Sequence, residues 1–183
     1  MRKTFLFMMV SLDGYVEGEH HDLSWHNVDE EFNEFAHAQN NHLDTVLFGR
    51  RTYDLMAGYW PTPQGNEDRP TADWMTRVRK VVVGRPFEPT WENTEVVSGN
   101  LVEAITKIKN EPGTDIAILG SNTLAVSLME ADLVDEFRLM YAPVAIGKGT
   151  PLFAGLKKPV GLRLLDSRMF KNGNILLRYA PRR

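Results

Sequence analysis

The sequence lacks the features that define several classes of protein. Its 183 residues contain no cysteine, which excludes a disulfide framework, a thiolate zinc site and a cysteine nucleophile. The 21 Lys and Arg residues are balanced by 24 Asp and Glu residues, which gives a net charge of −3. No global positive field is therefore present to attract nucleic acid or an anionic membrane surface. We expect neither of these as a partner.

No hydrophobic run in the sequence is long enough to span a bilayer. The apolar segment 4–12 follows Arg2 and Lys3, as in a signal peptide, but it ends in Asp13-Gly14 without a cleavage pattern of small residues. We interpret this segment as a buried first strand, and we expect a cytoplasmic protein. Internal repeats and Ser/Gly linkers are also absent, so residues 1–183 are expected to form one domain.

The sequence does contain alternating strand and helix patterns. A polar, turn-rich stretch at 61–70 predicts a long surface loop. At the C-terminus, segments 161–170 and 174–179 flank Lys171-Asn172-Gly173, which predicts an antiparallel hairpin. We therefore predict an α/β fold: a three-layer α/β/α sandwich with a mostly parallel central sheet and an antiparallel C-terminal hairpin. The further predicted strands are 45–48, 80–83, 94–97, 115–119 and 134–142, and the predicted helices are 29–43, 50–56, 101–108 and 124–131.

Three of the predicted buried strands end in a glycine, at Gly49, Gly84 and Gly120. In an open α/β sheet, ligands bind beyond the carboxyl ends of the strands, and a glycine there allows the backbone to approach a phosphate closely. Gly49 and Gly120 also precede predicted helices, whose free N–H groups and positive dipole ends favour an anion. The pattern predicts an anion-binding edge of the sheet.

Side chains of the types that commonly bind phosphate follow each of these glycines. Guanidinium groups bind phosphate oxygens bidentately, and short hydroxyl and amide side chains can contact a pyrophosphate. The set predicts a groove for a dinucleotide that carries an additional phosphate, hence NADPH rather than NADH. The alternative is that the glycines are ordinary turn residues and the arginines are solvated. The residues concerned are Arg50, Arg51, Arg85, Ser121, Asn122 and Thr123.

Other nucleotide-binding motifs are missing. Gly147-Lys148-Gly149 lacks the third glycine of a Rossmann fingerprint and leads into Pro151 rather than into a helix, and no Walker A sequence is present. A classical dehydrogenase and a phosphotransferase are therefore disfavoured.

Several segments together carry a resemblance to a known family. They are 9–14 (MVSLDG), 47–53 (LFGRRTY), 118–121 (ILGS) and 133–136 (LVDE), followed by Pro143, Gly147-x-Gly149 and 151–153 (PLF). This combination resembles the dihydrofolate reductase superfamily. It is especially similar to the C-terminal reductase domain of the bifunctional riboflavin-biosynthesis deaminase–reductase. The resemblance covers essentially the whole chain.

The resemblance implies hydride transfer from NADPH to a small heterocyclic substrate, pyrimidine- or pterin-like, as in 5-amino-6-(5-phosphoribosylamino)uracil reductase. It also implies a homodimer, for which the C-terminal strands offer a hydrophobic edge. By the same resemblance, Gly84 and Arg85 lie near the 2′-phosphate and the backbone of Met9 and Val16 contacts the nicotinamide amide. The remaining implied contacts are Gly49, Arg50, Arg51 and Thr52 to the adenosine side and phosphates, and Gly120, Ser121, Asn122 and Thr123 to the pyrophosphate.

The substrate side is less well defined. Tyr15 stands where riboflavin-type reductases commonly carry a basic residue, so a phosphoribosyl substrate loses one expected anchor. Trp25, Tyr53 and Trp60 are candidates to stack on a planar ring, or else they pack in the core or at its rim. Lys148 is a candidate to contact a substrate phosphate, or else it is a solvated loop charge.

The candidate proton donors are three carboxylates. Asp13 would act with a raised pKa in a partly buried cleft, or else it is a turn residue that bonds its own backbone. Asp29 and Glu30 are candidate acids, or else a helix cap and a first-turn charge. No metal site is expected, because His20, His21 and His26 lack acidic partners at ligand spacing.

Three alternatives to this reductase remain open at the level of sequence. One is a dihydrofolate reductase-type enzyme. Another is a non-catalytic nucleotide-binding or sensing module that has kept the groove without the chemistry. The third is an anion-binding scaffold without a cofactor.

Overall fold

A computed structural model describes residues 1–182, which form ten strands and five helices. The strands are β1 (Thr4–Ser11), β2 (Tyr15–Glu17), β3 (Leu43–Gly49), β4 (Arg79–Val83), β5 (Thr94–Val97), β6 (Asp115–Leu119), β7 (Glu136–Ala142), β8 (Thr150–Pro151), β9 (Leu162–Met169) and β10 (Ile175–Pro181). The helices are α1 (Glu30–Asn40), α2 (Arg50–Tyr59), α3 (Arg69–Arg77), α4 (Leu101–Asn110) and α5 (Asn122–Glu130).

Eight of the strands form one sheet in the order β5-β4-β3-β6-β1-β7-β10-β9. The first six in this order are parallel, and β10 and β9 add an antiparallel hairpin at one side. The apolar strand β1 lies between β6 and β7 and is buried on both faces, as its uninterrupted hydrophobic run predicts. The predicted sheet and C-terminal hairpin are confirmed.

The helices cover both faces of the sheet. Leu6 and Met8 of β1 pack with Ile105 of α4 and Leu128 of α5 on one face. The alternate residue Phe5 packs with Tyr53 of α2 and Met75 of α3 on the other face, where α1 also packs. This arrangement is the predicted three-layer sandwich, because successive side chains of a strand point to opposite faces.

The carboxyl edge of the sheet is stepped. Pairing between β1 and β6 ends at Phe7, which lies opposite Leu119, whereas pairing between β1 and β7 continues to Ser11. Residues 8–11 of β1, called here the β1 overhang, therefore have a strand neighbour on one side only. At about 3.3 Å per residue the overhang extends roughly 13 Å beyond the end of β6.

Three predictions about local structure were wrong. The helix predicted over 29–43 ends at Asn40, and Leu43 instead begins β3. The helical pattern after Gly49 was expected to end before Gly58, but α2 continues through Gly58 to Tyr59. The segment 61–70 was expected to be a loop, but it contains a short 3-10 turn at Gly65–Glu67 and the start of α3. Asp68 accepts a hydrogen bond from the Thr71 N–H, and this side-chain cap starts the helix.

A second, two-stranded sheet lies beyond the carboxyl edge, where β2 pairs with β8. Gly149 precedes β8 with a φ of +153°, and a Cβ atom at this position would collide with the Glu17 carbonyl oxygen. The glycine is therefore required for the close approach of the two strands. Within residues 1–182, no helix is both long and apolar enough to cross a membrane.

Candidate functional site

The three glycine turns meet at one place on the carboxyl edge. The strands that they follow, β4, β3 and β6, are direct neighbours in the sheet. The Gly49 N–H donates to the Ser121 hydroxyl at 2.9 Å, and a Cβ on Gly120 would lie 3.2 Å from Thr52 Cγ2. A Cβ on Gly84 would lie 3.7 Å from the Cβ of Arg50. The turns therefore form one continuous surface, as the sequence predicts.

Two helix N-termini open onto this surface without a side-chain cap. Gly49 begins α2 and Ser121 begins α5, and neither supplies a side-chain hydrogen bond to its helix. The other three helices are capped by Asp29, Asp68 and Asn100. The first N–H groups of a helix have no partner inside it, so α2 and α5 keep free donors at their positive dipole ends. These donors suit the oxygens of a phosphate.

The turn between β6 and α5 has an unusual backbone conformation. Gly120 and Ser121 have φ values of +64° and +56°, so both are left-handed. Ser121 is not a glycine, and this conformation costs it roughly 1–2 kcal/mol. The conformation places the Ser121 hydroxyl against the Gly49 N–H and orients the start of α5 toward the groove.

The three arginines predicted at this edge have different environments. Arg50 Nε contacts both carboxylate oxygens of Asp54, at 2.9 and 2.8 Å, and its guanidinium lies 3.8 Å from the ring centroid of Phe87. Arg51 contacts Glu17. Arg85 is exposed and makes no ion pair within residues 1–182. All N–H groups of its guanidinium are therefore available to bind a phosphate.

A shallow cavity of about 380 Å³ lies beside Arg85. It lies between the turn after β4 and the turn after β5, and Gly84, Ser98, Gly99 and Leu101 are among its lining residues. Ser98 and Gly99 carry no signal in the sequence that separates them from other polar turns. They become recognisable only because β5 is the neighbour of β4 in the sheet.

Met9 lies in the β1 overhang, and its main-chain N–H and C=O point to the side of β1 on which β6 lies. The Phe7 carbonyl accepts from Gly120 on the β6 side, and residues two apart in a parallel strand point their N–H and C=O groups to the same side. The Met9 N–H and C=O therefore face the space beyond the end of β6, where the sheet supplies no partner. Val16 is buried in β2 with the core cluster that includes Met8 and Val10.

Asp13 joins two loops and is not a raised-pKa acid. Its carboxylate accepts from the Ser11 hydroxyl at 2.7 Å and from the main-chain N–H groups of Ile146 and Gly147 at 3.1 and 2.7 Å. The Ser11 hydrogen bond, together with those from the main chain, lowers the pKa of Asp13. The expectation of a raised pKa was wrong, because the carboxylate is well hydrogen-bonded rather than desolvated. The turn interpretation of Asp13 fits the structure.

Asp29 caps α1, where its Oδ1 accepts from the Phe32 N–H at 2.9 Å. This confirms the cap, and it commits one carboxylate oxygen to the helix. Glu30 is exposed in the first turn of α1. Catalytic roles for Asp29 and Glu30 stay predictions.

The aromatic candidates separate into buried and accessible residues. Tyr53 is 1% exposed, and its hydroxyl accepts from the N–H groups of Thr90 and Trp91 at 3.1 and 2.9 Å. It is a core residue, so its prediction as a substrate contact was wrong. Trp60 is half-buried at the end of α2, and Trp25 Nε1 donates to the Asp22 carbonyl at 3.1 Å. Both remain candidates.

Lys148 is an exposed loop residue. Its side chain is 76% exposed, and Nζ lies 4.0 Å from a carboxylate oxygen of Glu19. This is the environment of a solvated loop charge, the alternative given above, and a substrate contact by Lys148 stays a prediction.

The loop before α1 carries a buried histidine. Burial lowers the pKa of His26 to about 4, so its ring is neutral at pH 7. The ring makes an edge contact with Trp25, with 4.6 Å between the centroids. The loop histidines were expected to be structural, and this environment agrees with that expectation for His26.

Phe7 is a further candidate for substrate contact that the sequence pattern does not reveal. Its neighbours Leu6 and Met8 are buried, yet Phe7 is partly exposed in a central strand. Its ring lies 5.9 Å from the ring of Phe35 in α1, and on its other side it borders the cluster that contains Trp60. Phe7 and Phe35 therefore form a partly exposed aromatic patch on the sheet and α1, and Trp60 borders this patch. Nothing in the apolar run of β1 distinguishes Phe7, because its exposure depends on the helices above it.

Comparison with known proteins identifies the family. The family model of the RibD C-terminal domain matches residues 2–176 of this chain. The chain belongs to the RibD C-terminal domain family. Its relatives include the uncharacterized protein YyaP of Bacillus subtilis strain 168, which is 32% identical over 184 residues, covering 97% of this chain and 94% of YyaP.

Solved structures of two enzymes share the fold of this RibD C-terminal domain family member. One is the diaminohydroxyphosphoribosylaminopyrimidine deaminase/5-amino-6-(5-phosphoribosylamino)uracil reductase of Thermotoga maritima (TM-score 0.73, 17% identity), in which 99% of this chain covers 57% of the enzyme. The other is the dihydrofolate reductase of Enterococcus faecalis in complex with NADP(H) (TM-score 0.68, 15% identity, 99% and 97% coverage). The dihydrofolate reductase-like fold is thereby confirmed.

Proposed function

We propose that this member of the RibD C-terminal domain family is an NADPH-dependent reductase of a small heterocyclic substrate. The observation that carries the proposal is the pair of uncapped helix N-termini, α2 and α5, at adjoining glycine turns. The Enterococcus dihydrofolate reductase, which has the same fold, is in complex with NADP(H), and this supports the choice of cofactor.

The residues along the edge fit the successive parts of NADPH. The free N–H groups of α2 and α5 would hold the diphosphate, and Arg85 would hold the 2′-phosphate in the turn after β4. The cavity beside Arg85 would take the adenosine end. At the other end, the Met9 N–H and C=O would pair with the carboxamide of the nicotinamide, in place of the strand neighbour that β1 lacks there.

When bound, the cofactor supplies a hydride. The chain's own residues orient the substrate and exclude water: Phe7 and Phe35 form an apolar surface on which a planar ring can pack, and Trp60 borders it. We assign the proton that completes the reduction to solvent. Asp13 is an unsuitable donor, because its lowered pKa keeps it ionised near neutral pH.

For the substrate we propose a pyrimidine- or pterin-like ring, as in 5-amino-6-(5-phosphoribosylamino)uracil reductase. The family, and the reductase named in the Thermotoga protein, support this class. The exposed faces of the aromatic patch favour a planar ring over an open-chain substrate.

The proposal is tested in two steps. A thermal-shift screen with NADPH, NADH and flavins should give its largest shift with NADPH. A panel of pyrimidines and pterins should then drive NADPH oxidation, followed by absorbance. A shift with NADPH but no oxidation with any substrate would favour the sensing module, and no shift with any nicotinamide cofactor would reject the proposal.

We also propose that the protein is a homodimer that pairs through β9. This strand lies at the edge of the sheet, and its residues from 163 to 169 are all exposed. Leu164, Leu165 and Met169 are exposed hydrophobic residues on it. An unpaired edge strand with apolar side chains is a natural site for a second copy of the chain.

A further inference from the structure

An ion pair crosses the groove in front of the end of β6. Arg51 lies in the first turn of α2, which follows β3, and Glu17 lies in β2, which follows β1. Because β6 lies between β3 and β1, the contact between these side chains spans the turn from β6 to α5. Arg51 Nη2 donates to both carboxylate oxygens of Glu17, at 2.7 and 2.8 Å.

The two partners differ in burial. Glu17 is 7% exposed, whereas the side chain of Arg51 is 61% exposed. Glu17 also accepts from the Thr150 hydroxyl at 2.6 Å and lies 3.1 Å from His21 Nδ1. Burial raises the pKa of Glu17, but the hydrogen bonds from Thr150 and Arg51 outweigh burial and lower the pKa below its ordinary value. Glu17 is therefore a buried, ionised anchor.

We propose that Glu17 is a positioning residue that holds Arg51 across the groove as a clasp over the bound dinucleotide. The proposal rests on the proposed function, in which a dinucleotide runs from the turn after β4 to the β1 overhang. Such a ligand must cross the gap that the ion pair spans. The family resemblance implies a phosphate contact for Arg51 and no role for Glu17.

The burial of Glu17 indicates whether the ion pair stays intact when the ligand binds, as a clasp, or breaks to admit the ligand, as a plug. If Arg51 left Glu17 for a phosphate, it would leave a buried carboxylate without its main counter-charge, which is strongly unfavourable. A new phosphate contact would not offset this loss, because Arg51 can make the same contact through its other N–H groups without leaving Glu17. Both bonds to Glu17 use Nη2, so Nε and Nη1 keep their N–H groups for a phosphate oxygen. Arg51 can therefore contact both groups at once.

The side of the groove that carries Glu17 is itself anchored. Asn122, the first residue of α5, donates from Nδ2 to the Pro151 carbonyl at 3.4 Å, and the Leu152 N–H donates to the Gly14 carbonyl at 2.9 Å. The β2–β8 sheet is thus attached to the start of α5 on one side and to α2, through the ion pair, on the other. Loss of the pair would free the α2 side only.

The test measures rates of NADPH binding and release by stopped-flow, using the change in nicotinamide fluorescence. The variants are Glu17→Gln, Arg51→Gln and the double variant. We expect each single variant to release NADPH about tenfold faster or more, with little change in the association rate, and the double variant to add little to the larger single effect. NADH release should accelerate by the same factor, because the clasp contacts the part that both cofactors share.

Glu111→Gln is the matched control, because Glu111 pairs with Arg79 at the start of β4, at the opposite edge of the sheet. Its release rate should stay within about twofold of the wild type. If Glu17→Gln does not fold, Arg51→Lys still tests the clasp, because Arg51 is exposed and its replacement is tolerated more easily. The lysine ammonium cannot donate twice to Glu17 in the same geometry and also reach a phosphate.

Unchanged release rates in the Glu17 and Arg51 variants would overturn the clasp. Faster association with unchanged release would also overturn it, because that result would mean that the ion pair blocks entry of the ligand rather than holding the bound ligand. Failure of the wild-type protein to bind NADPH would instead reject the proposed function, and the two failures are therefore distinguishable.

Discussion

The main-chain N–H of Gly49 donates a hydrogen bond to the hydroxyl of Ser121 at 2.9 Å, across 72 positions of sequence. This bond joins the turn after β3 to the turn after β6, and each of these turns begins an uncapped helix. It fixes the distance between the two sets of free N–H groups on which the proposed diphosphate site depends.

Ser121→Ala should weaken both stability and NADPH binding. The substitution removes the acceptor of a half-buried N–H, which costs roughly 1–3 kcal/mol in the free energy of unfolding. Urea denaturation and calorimetric titration with NADPH would measure the two effects. Ser127→Ala is the control, because Ser127 is exposed on α5 and its hydroxyl bonds only the Thr123 carbonyl of the same helix. Equal binding losses in both variants would contradict the role given to Ser121.

Arg85→Ala should weaken NADPH binding about tenfold or more and leave NADH binding nearly unchanged, because only NADPH carries the 2′-phosphate. Arg50→Ala is expected to act in the same direction. Titration with each cofactor measures the ratio, and Arg77→Ala on α3 serves as a control, since the exposed Arg77 contacts only the Asp73 carbonyl of its own helix. Equal losses for the two cofactors would contradict the 2′-phosphate assignment.

Phe7→Leu should raise the KM for the substrate several-fold while cofactor affinity changes little. Leucine removes the flat ring from the aromatic patch but keeps an apolar side chain in β1. Phe48→Leu is the matched control, since Phe48 in β3 is fully buried at the same level of the sheet and so cannot contact a ligand. If both variants change the KM by the same factor, the change in KM comes from altered core packing, and the substrate contact by Phe7 is contradicted.

Glu136 should make stability depend on acid pH. Burial raises its pKa, but hydrogen bonds from Arg178, Arg138 and Lys3 outweigh burial and lower the pKa to about 2 from 4.5. The native pKa lies below the unfolded one, so this contribution is fully present above about pH 4.5 and is lost as the pH falls toward 2. Its size is about 3 kcal/mol.

Denaturation of Glu136→Gln at several pH values measures this contribution. The variant should lose about 3 kcal/mol relative to wild type at pH 7 and much less near pH 2. Glu95→Gln, whose carboxylate is half exposed beside Arg79, should show a loss of under about 1 kcal/mol at any pH. A pH-independent loss in Glu136→Gln would contradict the assignment.

Light scattering should give a mass near twice 20.8 kDa. Leu164→Lys together with Met169→Lys should shift the protein toward the monomer, because charges on an edge strand oppose pairing. Val102→Lys controls for surface charge, since Val102 is an exposed apolar residue on α4. A wild-type protein seen only at 20.8 kDa would remove the homodimer.

The sequence predicts well those parts of the fold that short-range patterns encode. The apolar run of β1, the glycines after β3, β4 and β6, and the turn at Lys171-Asn172-Gly173 each carry a local signal. The start of α3 was missed because its polar sequence resembles the loop before it, and its cap depends on the single side chain of Asp68. The end of α2 was misjudged because packing against the sheet carries the helix past Gly58, whose intrinsic cost is only about 1 kcal/mol.

The site is predictable only where it is made of main chain. Gly49, Gly84 and Gly120 identify the turns, and Arg50 pairs with Asp54 at helical i,i+4 spacing, but the pairing of Arg51 with Glu17 is a tertiary contact that no local pattern encodes. Tyr53 shows the same limit. Its spacing after Gly49 is compatible with a cleft residue or a core residue, and only its hydroxyl's bonds to Thr90 and Trp91 decide for the core.

In the proposed complex, the β1 overhang would recognise one end of the ligand through its peptide groups. Replacing the Met9 side chain leaves its N–H and C=O in place, so an alanine substitution there would report the loss of core packing rather than the loss of the main-chain contacts. Changing the ligand would reveal it: a nicotinamide whose carboxamide has been replaced by an acetyl group keeps the acceptor for the N–H and loses the donor for the C=O.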